Sequence, residues 1–236
     1  MPISLILGDH ELLFRRAIRE LLSIPEIRVV GEAADGPAAL QLAATLHPDV
    51  AVLNSFLPVL NGLDAGKKIR HVSPKTGVVL LAAHLGARYI RNALTGGISG
   101  FASRAGTGTD LHRVIQQVAA GSVYMDPLVG STKRVEEADD GGDGSVQLTA
   151  RERQIVQLIA ECWTTKDIGH QLGISPKTAE SHRQRAMYKL QISEPAQLVR
   201  YAIRESLVEV RIPPPESLTG EEESWSTKLT REASVF

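Results

Sequence analysis

Residues 148–190 read LTARERQIVQLIAECWTTKDIGHQLGISPKTAESHRQRAMYKL, and local chemistry divides this stretch into three helices. Thr149 stands three residues ahead of Glu152, the pattern in which a hydroxyl and a carboxylate satisfy each other's free backbone N–H groups at a helix start. The helix it opens carries Ile155, Val156, Leu158 and Ile159. Thr164 or Thr165 can cap a second, short helix through Leu172, and Gly173 ends it because glycine enters the left-handed conformation at no steric cost. Ser175-Pro176 opens a third helix, with serine as cap and proline at the first helical position. Two short helices joined by a glycine-containing turn are the pattern of a helix-turn-helix. A fourth helix starts at Glu194-Pro195 and contains Leu198, Val199, Ala202 and Ile203.

At 100° per residue, Ala179, Ala186 and Leu190 fall on one side of the third helix, with Met187 at the edge. Lys177, Ser181, Gln184, Arg185 and Tyr188 fall on the other. Residues 175–191 hold four basic side chains (Lys177, Arg183, Arg185 and Lys189) and one acid, Glu180, for a local charge of +3. The whole chain has a formal charge of -1, so any surface for a polyanion has to be local. A basic face fits a phosphate backbone, and Ser181, Gln184 and Arg185 can reach base edges in a major groove. By charge and periodicity alone, a solvated amphipathic helix explains the same residues equally well.

Working outward, residues 131–145 are polar, acidic and glycine-containing, and read as part of a flexible linker over 123–147. Residues 212–236, with three consecutive prolines, three consecutive glutamates and a charge of -3, read as a disordered acidic tail. Upstream, short apolar runs at 3–7, 28–31, 50–53, 78–82 and 98–102 alternate with helical-period segments at 11–22, 37–46, 63–70, 87–94 and 110–120. In the first of these segments Leu12, Leu13, Ala17, Leu21 and Leu22 recur near the helical period. The alternation predicts an α/β domain over 1–122, a doubly wound five-stranded parallel sheet of flavodoxin-like topology, with its site at the carboxyl ends of the strands. An all-α four-helix unit follows over 148–211.

The single cysteine, Cys162, excludes an internal disulfide framework and reads as a buried structural thiol. The N-terminus lacks the pattern of a secretory signal, and the longest apolar run is far short of a membrane span, so a cytoplasmic location is expected. No metal-ligand spacing, cofactor loop or nucleophile–base pair is visible. Neither an enzyme nor a cofactor is expected.

The Leu-Thr-x-Arg-Glu opening, the Lys-x-Ile before the turn, Ser-x-Lys-Thr and Glu-Ser-His-Arg together resemble the LuxR-type helix-turn-helix of the NarL/FixJ response regulators. The resemblance implies that Lys166, Ser175, Lys177, Thr178, Ser181, His182, Arg183 and Arg185 lie near double-stranded DNA; Gln184 and Lys189 join them from the helix-face reading. It also implies that the helix over 194–206, with Leu198, Tyr201 and Ala202, mediates homodimerisation on two half-sites.

The first 122 residues resemble the receiver domain of the same family, through Gly-Asp-His-Glu-Leu, Val-Gly-Glu-Ala-Ala-Asp-Gly, Pro-Asp-Val-Ala-Val-Leu-Asn and Leu-Pro-Val-Leu-Asn-Gly. Receivers accept a phosphoryl group on an aspartate beside Mg²⁺, and the chain departs from that chemistry. Asn54 stands at the acceptor position, Gly8 beside Asp9 reduces the acid pair to one, Ala82 replaces the hydroxyl and Arg104 the lysine. Phe101 keeps the switch aromatic. An amide is not the carboxylate nucleophile that forms an acyl phosphate, and one carboxylate is a poor Mg²⁺ site. The domain is expected to keep the fold without being phosphorylated, and to serve either as a dimerisation unit or as a pocket for another ligand or regulatory protein. An ion pair of Arg104 with Asp9 would hold one conformation. The chain as a whole is then a DNA-binding transcriptional regulator controlled independently of aspartyl phosphorylation. The alternative is an adaptor whose receiver-like domain binds a partner protein or ligand.

Overall fold

The computed structural model describes residues 1–82, 87–130 and 148–209. The linker residues 131–147 and the tail from 210 onward lie outside the described residues. The N-terminal domain alternates β1 (Ile3–Gly8), α1 (Leu12–Leu21), β2 (Ile27–Ala33), α2 (Gly36–Leu46), β3 (Val50–Asn54), α3 (Gly62–Val72), β4 (Gly77–Ala82), α4 (Ala87–Thr95), β5 (Gly100–Ser103) and α5 (Gly108–Ala119). The strands lie in the order β2-β1-β3-β4-β5 and every pairing is parallel. β3 and β4 are buried along their whole length, as expected of central strands covered by helices on both faces. One core, around Leu53, Leu57, Ile69, Leu80 and Phe101, fills one face of the sheet. The other, around Leu5, Leu22, Val79, Val114 and Ile115, fills the opposite face.

Two elements correct the expected five strands and the expected start of the linker. β6 (Tyr124–Met125) pairs in parallel with β5 and makes the sheet six-stranded, and α6 (Pro127–Gly130) follows it. Asp126, buried between them, accepts from the Ser103 and Leu128 backbone N–H groups. A two-residue strand is too short to show a period. Its place comes from Asp126 and from the open edge of β5.

In α1, Ile18 and Leu22 enter the core, but Leu12, Leu13 and Leu21 are exposed. The periodic set of leucines is therefore shared between two faces of one helix.

The C-terminal unit is α7 (Ala150–Ala160), α8 (Thr165–Leu172), α9 (Pro176–Lys189) and α10 (Pro195–Arg204). The caps are those the sequence implies: Thr149 and Glu152 form a reciprocal box, Thr164 caps α8, Ser175 caps α9, and Gly173 sits at φ +63° between α8 and α9. Ala179 and Ala186 are buried, so small residues let α9 pack closely on α7 and α8. Cys162 corrects the expectation of a buried thiol. It is exposed, at φ +65° in the turn after α7, because the helix ends two residues before it.

Candidate nucleic-acid interface and receiver-like pocket

The outward face of α9 is built by subtraction. Ala179 and Ala186 take the inner side, so Ser181, Gln184, Arg185, Tyr188 and Lys189 line an open groove on the outer one. Lys177, Thr178, Gln184 and Arg185 are exposed, and Tyr188 is 86% exposed. Ser175 and Thr178 share a hydroxyl contact at the helix start, and Lys166 is exposed on α8. Ser181 donates to the Lys177 carbonyl within the helix.

Three of the expected contact residues are already engaged. Arg183 pairs with Glu180 through two nitrogens, and this contact raises the guanidinium pKa and lowers that of the carboxyl. The acid that would repel phosphate is thereby neutralised locally. Gln184 donates to the same carboxylate at 3.1 Å, so its own carbonyl oxygen remains to accept. Lys189 Nζ lies 2.8 Å from Glu152, which ties the end of α9 to the cap of α7. His182 is half-buried. Tyr188 was not among the expected contacts, though it shares their face at 100° spacing.

In α10 the structure corrects the expected dimer contacts. Leu198 and Ala202 are fully buried in the domain's own core with Val156 and Ala186, because the i,i+4 stripe of α10 is what seals this small domain. Tyr201 is half-buried, and its hydroxyl pKa is raised by burial and by Glu205.

The strand ends of the N-terminal domain bring together Gly8, Asp9, Asn54, Ala82, Phe101 and Arg104. Asp9, Asn54, Ala82 and Phe101 are all fully buried or nearly so. Asn54 Nδ2 donates to Asp9 Oδ2 at 3.0 Å, and Asn54 Oδ1 accepts the Phe56 N–H at 3.0 Å. Asp9 Oδ1 accepts the Glu11 N–H at 2.8 Å. Arg104 lies 3.5 Å from Asp9 Oδ2, bonds Glu11 at 2.5 Å, and stacks its guanidinium 3.9 Å above the Phe14 ring. The Arg104–Asp9 contact is the one the sequence suggested; Glu11 and Phe14, its other partners, were not foreseen.

This donor set does not fit Mg²⁺. The single buried carboxylate has both oxygens taken by an amide, a backbone N–H and a guanidinium, where a hard dication wants several free anionic oxygens. Gly8 is a tight position: a Cβ there would come within 2.9 Å of a Leu53 methyl and 3.3 Å of a Leu57 methyl, so both leucines would have to shift to admit a second acid. The loop after β3 is equally tight. A Cβ on Gly62 would lie 2.2 Å from the Asn54 carbonyl oxygen, which requires glycine at that point of Leu-Pro-Val-Leu-Asn-Gly.

The same loop docks the C-terminal unit. Gln157, buried on α7, donates to the Leu57 carbonyl at 3.0 Å and accepts from the Asn61 N–H at 2.9 Å. Gln154 donates to the Val59 carbonyl, Glu161 accepts the Val59 N–H, and Arg153 pairs with Asp64 at 3.2 Å. Burial raises the pKa of Glu161. Val59 itself enters the cluster of Ile155, Leu158, Ile168 and Ala179 at φ +67°, a strained conformation for a β-branched residue. Arg88 and Glu205 add a peripheral pair. The sequence signal for this docking is faint: two glutamines, three residues apart, at buried positions of an otherwise apolar helix face.

Comparison with known proteins agrees with this architecture. Residues 5–116 match the response regulator receiver domain family, and residues 146–202 match the family of bacterial regulatory proteins of the luxR type. The chain is 31% identical over 208 residues to the probable transcriptional regulatory protein NarL of Mycobacterium tuberculosis, covering 88% of this chain and 96% of that one. It is 30% identical over 204 residues to the transcriptional regulatory protein MctR of Rhizobium johnstonii, covering 86% and 94%. Among solved structures, RcsB of Salmonella enterica serovar Typhimurium bound to promoter P1flhDC matches with a TM-score of 0.58 and 24% identity, over 85% of this chain and 98% of that one, a likeness of fold. With both domains matched in order and two relatives covered almost end to end, the chain belongs to the NarL/FixJ family of response regulators, DNA-binding transcription regulators with a receiver domain and a LuxR-type helix-turn-helix.

Proposed function

We propose that this protein is a sequence-specific transcriptional regulator that binds double-stranded DNA as a homodimer and is controlled without aspartyl phosphorylation. The observation that carries the control half is the saturation of Asn54: both ends of its amide are bonded, and Arg104 holds Asp9, so the pocket is internally satisfied without phosphate or metal. The DNA half rests on the exposed face of α9, with Ser181, Gln184 and Arg185 aimed away from the core. RcsB, bound to promoter DNA in its structure, supports the same use of the fold here. The docked state leaves Lys177, Gln184, Arg185 and Tyr188 exposed, so docking by α7 is compatible with an available reading face. The test is a footprint of the unmodified protein on sites selected from genomic DNA, repeated after incubation with acetyl phosphate and checked by intact mass. The expected result is the same footprint with no mass shift. An acid-labile adduct that strengthens binding would overturn the control half, and binding no stronger than to random DNA would overturn the regulator itself.

A further inference from the structure

The last turn of α9 carries a side chain that the cation pattern of the helix does not explain. Of its four residues, Ala186 is buried, Met187 is half-buried, and Lys189 holds its ammonium 2.8 Å from Glu152. Tyr188 is the one fully exposed residue of the four, and its hydroxyl makes no hydrogen bond among the described residues. It follows Ser181 by seven residues, Gln184 by four and Arg185 by three. At the helical period it therefore lies within about 60° of each, and about 10 Å beyond Ser181 along the axis. Tyrosine suits an interface, because its ring covers contact area with only two rotatable bonds while its tip keeps a donor.

We propose that the Tyr188 hydroxyl donates to a DNA phosphate at the wall of the major groove, an uncharged backbone contact at the end of α9 whose cation is engaged elsewhere. It rests on the regulator reading and adds a contact to the same face. Two features point to the backbone rather than to a base. In a helix-turn-helix the earlier residues of the reading helix reach the base edges. Ser181, Gln184 and Arg185 fill that part of the face, and Tyr188 sits past them, where the helix leaves the bases for a strand. The second feature is the Lys189–Glu152 pair, which spends the only cation of this turn inside the domain. A phosphate at that point meets the phenol as the unengaged donor. The groove around the ring is polar and cationic, which suits a polyanion better than an apolar protein surface. A phenolic O–H donates without neutralising a charge, so it adds affinity without releasing a counterion. It also carries no sequence information, because every nucleotide presents the same phosphate.

Equilibrium titrations of the full chain, on a site selected from genomic DNA and on a random duplex at several salt concentrations, measure this contact. Y188F removes one hydrogen bond to a charged group and should raise Kd about tenfold on both duplexes alike, with the salt slope unchanged. Y188A, which also loses the ring, should raise it further. K177A is the contrast, since loss of a cation lowers the slope by about one. Single methylphosphonates, each making one phosphate uncharged, then locate the partner. At one position the substitution should weaken the wild type and add little to Y188F. Circular dichroism and thermal melts confirm folding of each variant, which an exposed position tolerates. Y188F with wild-type affinity on both duplexes overturns the proposal. So does a Y188F loss confined to one base pair of the selected site, or a methylphosphonate scan that weakens Y188F everywhere as much as the wild type. The two readings fail separately. Wild-type binding no tighter on the selected site than on random DNA sinks the regulator, while a tenfold Y188F loss on that random DNA still upholds the phosphate contact. Selected-site binding that K177A weakens and Y188F does not sinks the phosphate contact alone.

Discussion

Asn54 shows how much one atom exchange decides. As an amide it donates to Asp9 and accepts from Phe56, and both bonds are buried. N54D would restore the family's carboxylate but lose the donor, and would set two carboxylates about 3 Å apart, with Arg104 beside Asp9 and Arg15 on its backbone carbonyl. The expected outcome is a loss of roughly 1–3 kcal/mol in denaturant unfolding, with no phosphoryl adduct after acetyl phosphate. Restoring the acid at position 8 as well would require the Leu53 and Leu57 methyls to shift. On α9, Q184A and R185A should each cost roughly 1–3 kcal/mol on the selected site and relax preference at one base pair. K177A should weaken all sequences alike and lower the salt slope by about one. Titrations at several salt concentrations separate these outcomes. The losses at Gly8, Asn54 and Ala82 were legible in the sequence because each residue's chemistry is missing outright. The neutralisation of Glu180 by Arg183 depends on rotamers, so it became visible only in three dimensions.

At the scale of the element, α7 serves two masters. Its start is a reciprocal cap, and its buried Glu152 also holds Lys189 of α9. Burial works against ionising this carboxyl, yet Lys189 and the Thr149 groups outweigh it and keep the pKa below the usual 4.5. A carboxylate held low adds stability above that usual value and loses it as pH falls through the depressed one. Thermal midpoints of the chain should therefore fall on acidification below 4.5, and E152Q should start lower and flatten that part of the profile. T149A should cost about 1 kcal/mol through the same cap. Helix starts were readable because Thr149, Thr164 and Ser175 act within three residues. The choice of core face in α1 was not, since apolar residues ring most of the helix and the period does not say which arc meets the sheet.

At the scale of the whole molecule, the loop after β3, which in this family borders the phosphoacceptor, is the dock for the DNA-binding unit. Gln157 alone bridges Leu57 and Asn61, and Val59 completes the apolar cluster around Ile155 and Ile168. V59D buries a charge in that cluster, and Q157A leaves the Leu57 carbonyl and the Asn61 N–H without their partner. The two together should release the domains, read as a larger radius of gyration by small-angle scattering and faster proteolysis between them. Each domain's circular dichroism should persist. An unchanged radius would mean that the dock is held elsewhere. No helix among the described residues is long and apolar enough to cross a membrane.

The sequence by itself determined the two domains, the parallel sheet, the caps and turn of the reading head and the missing acceptor chemistry, because each depends on residues close along the chain or on a single functional group. Residues 148–190 encode the third helix of that unit and its outward side chains within their own local pattern. Only the tertiary structure decided which of those residues are free, that Asn54, Asp9, Glu11, Arg104 and Phe14 close the pocket on themselves, and that Gln157 and Val59 join the two halves. Those contacts link residues separated by up to about a hundred positions, and no local period encodes which distant partner a buried polar group will find.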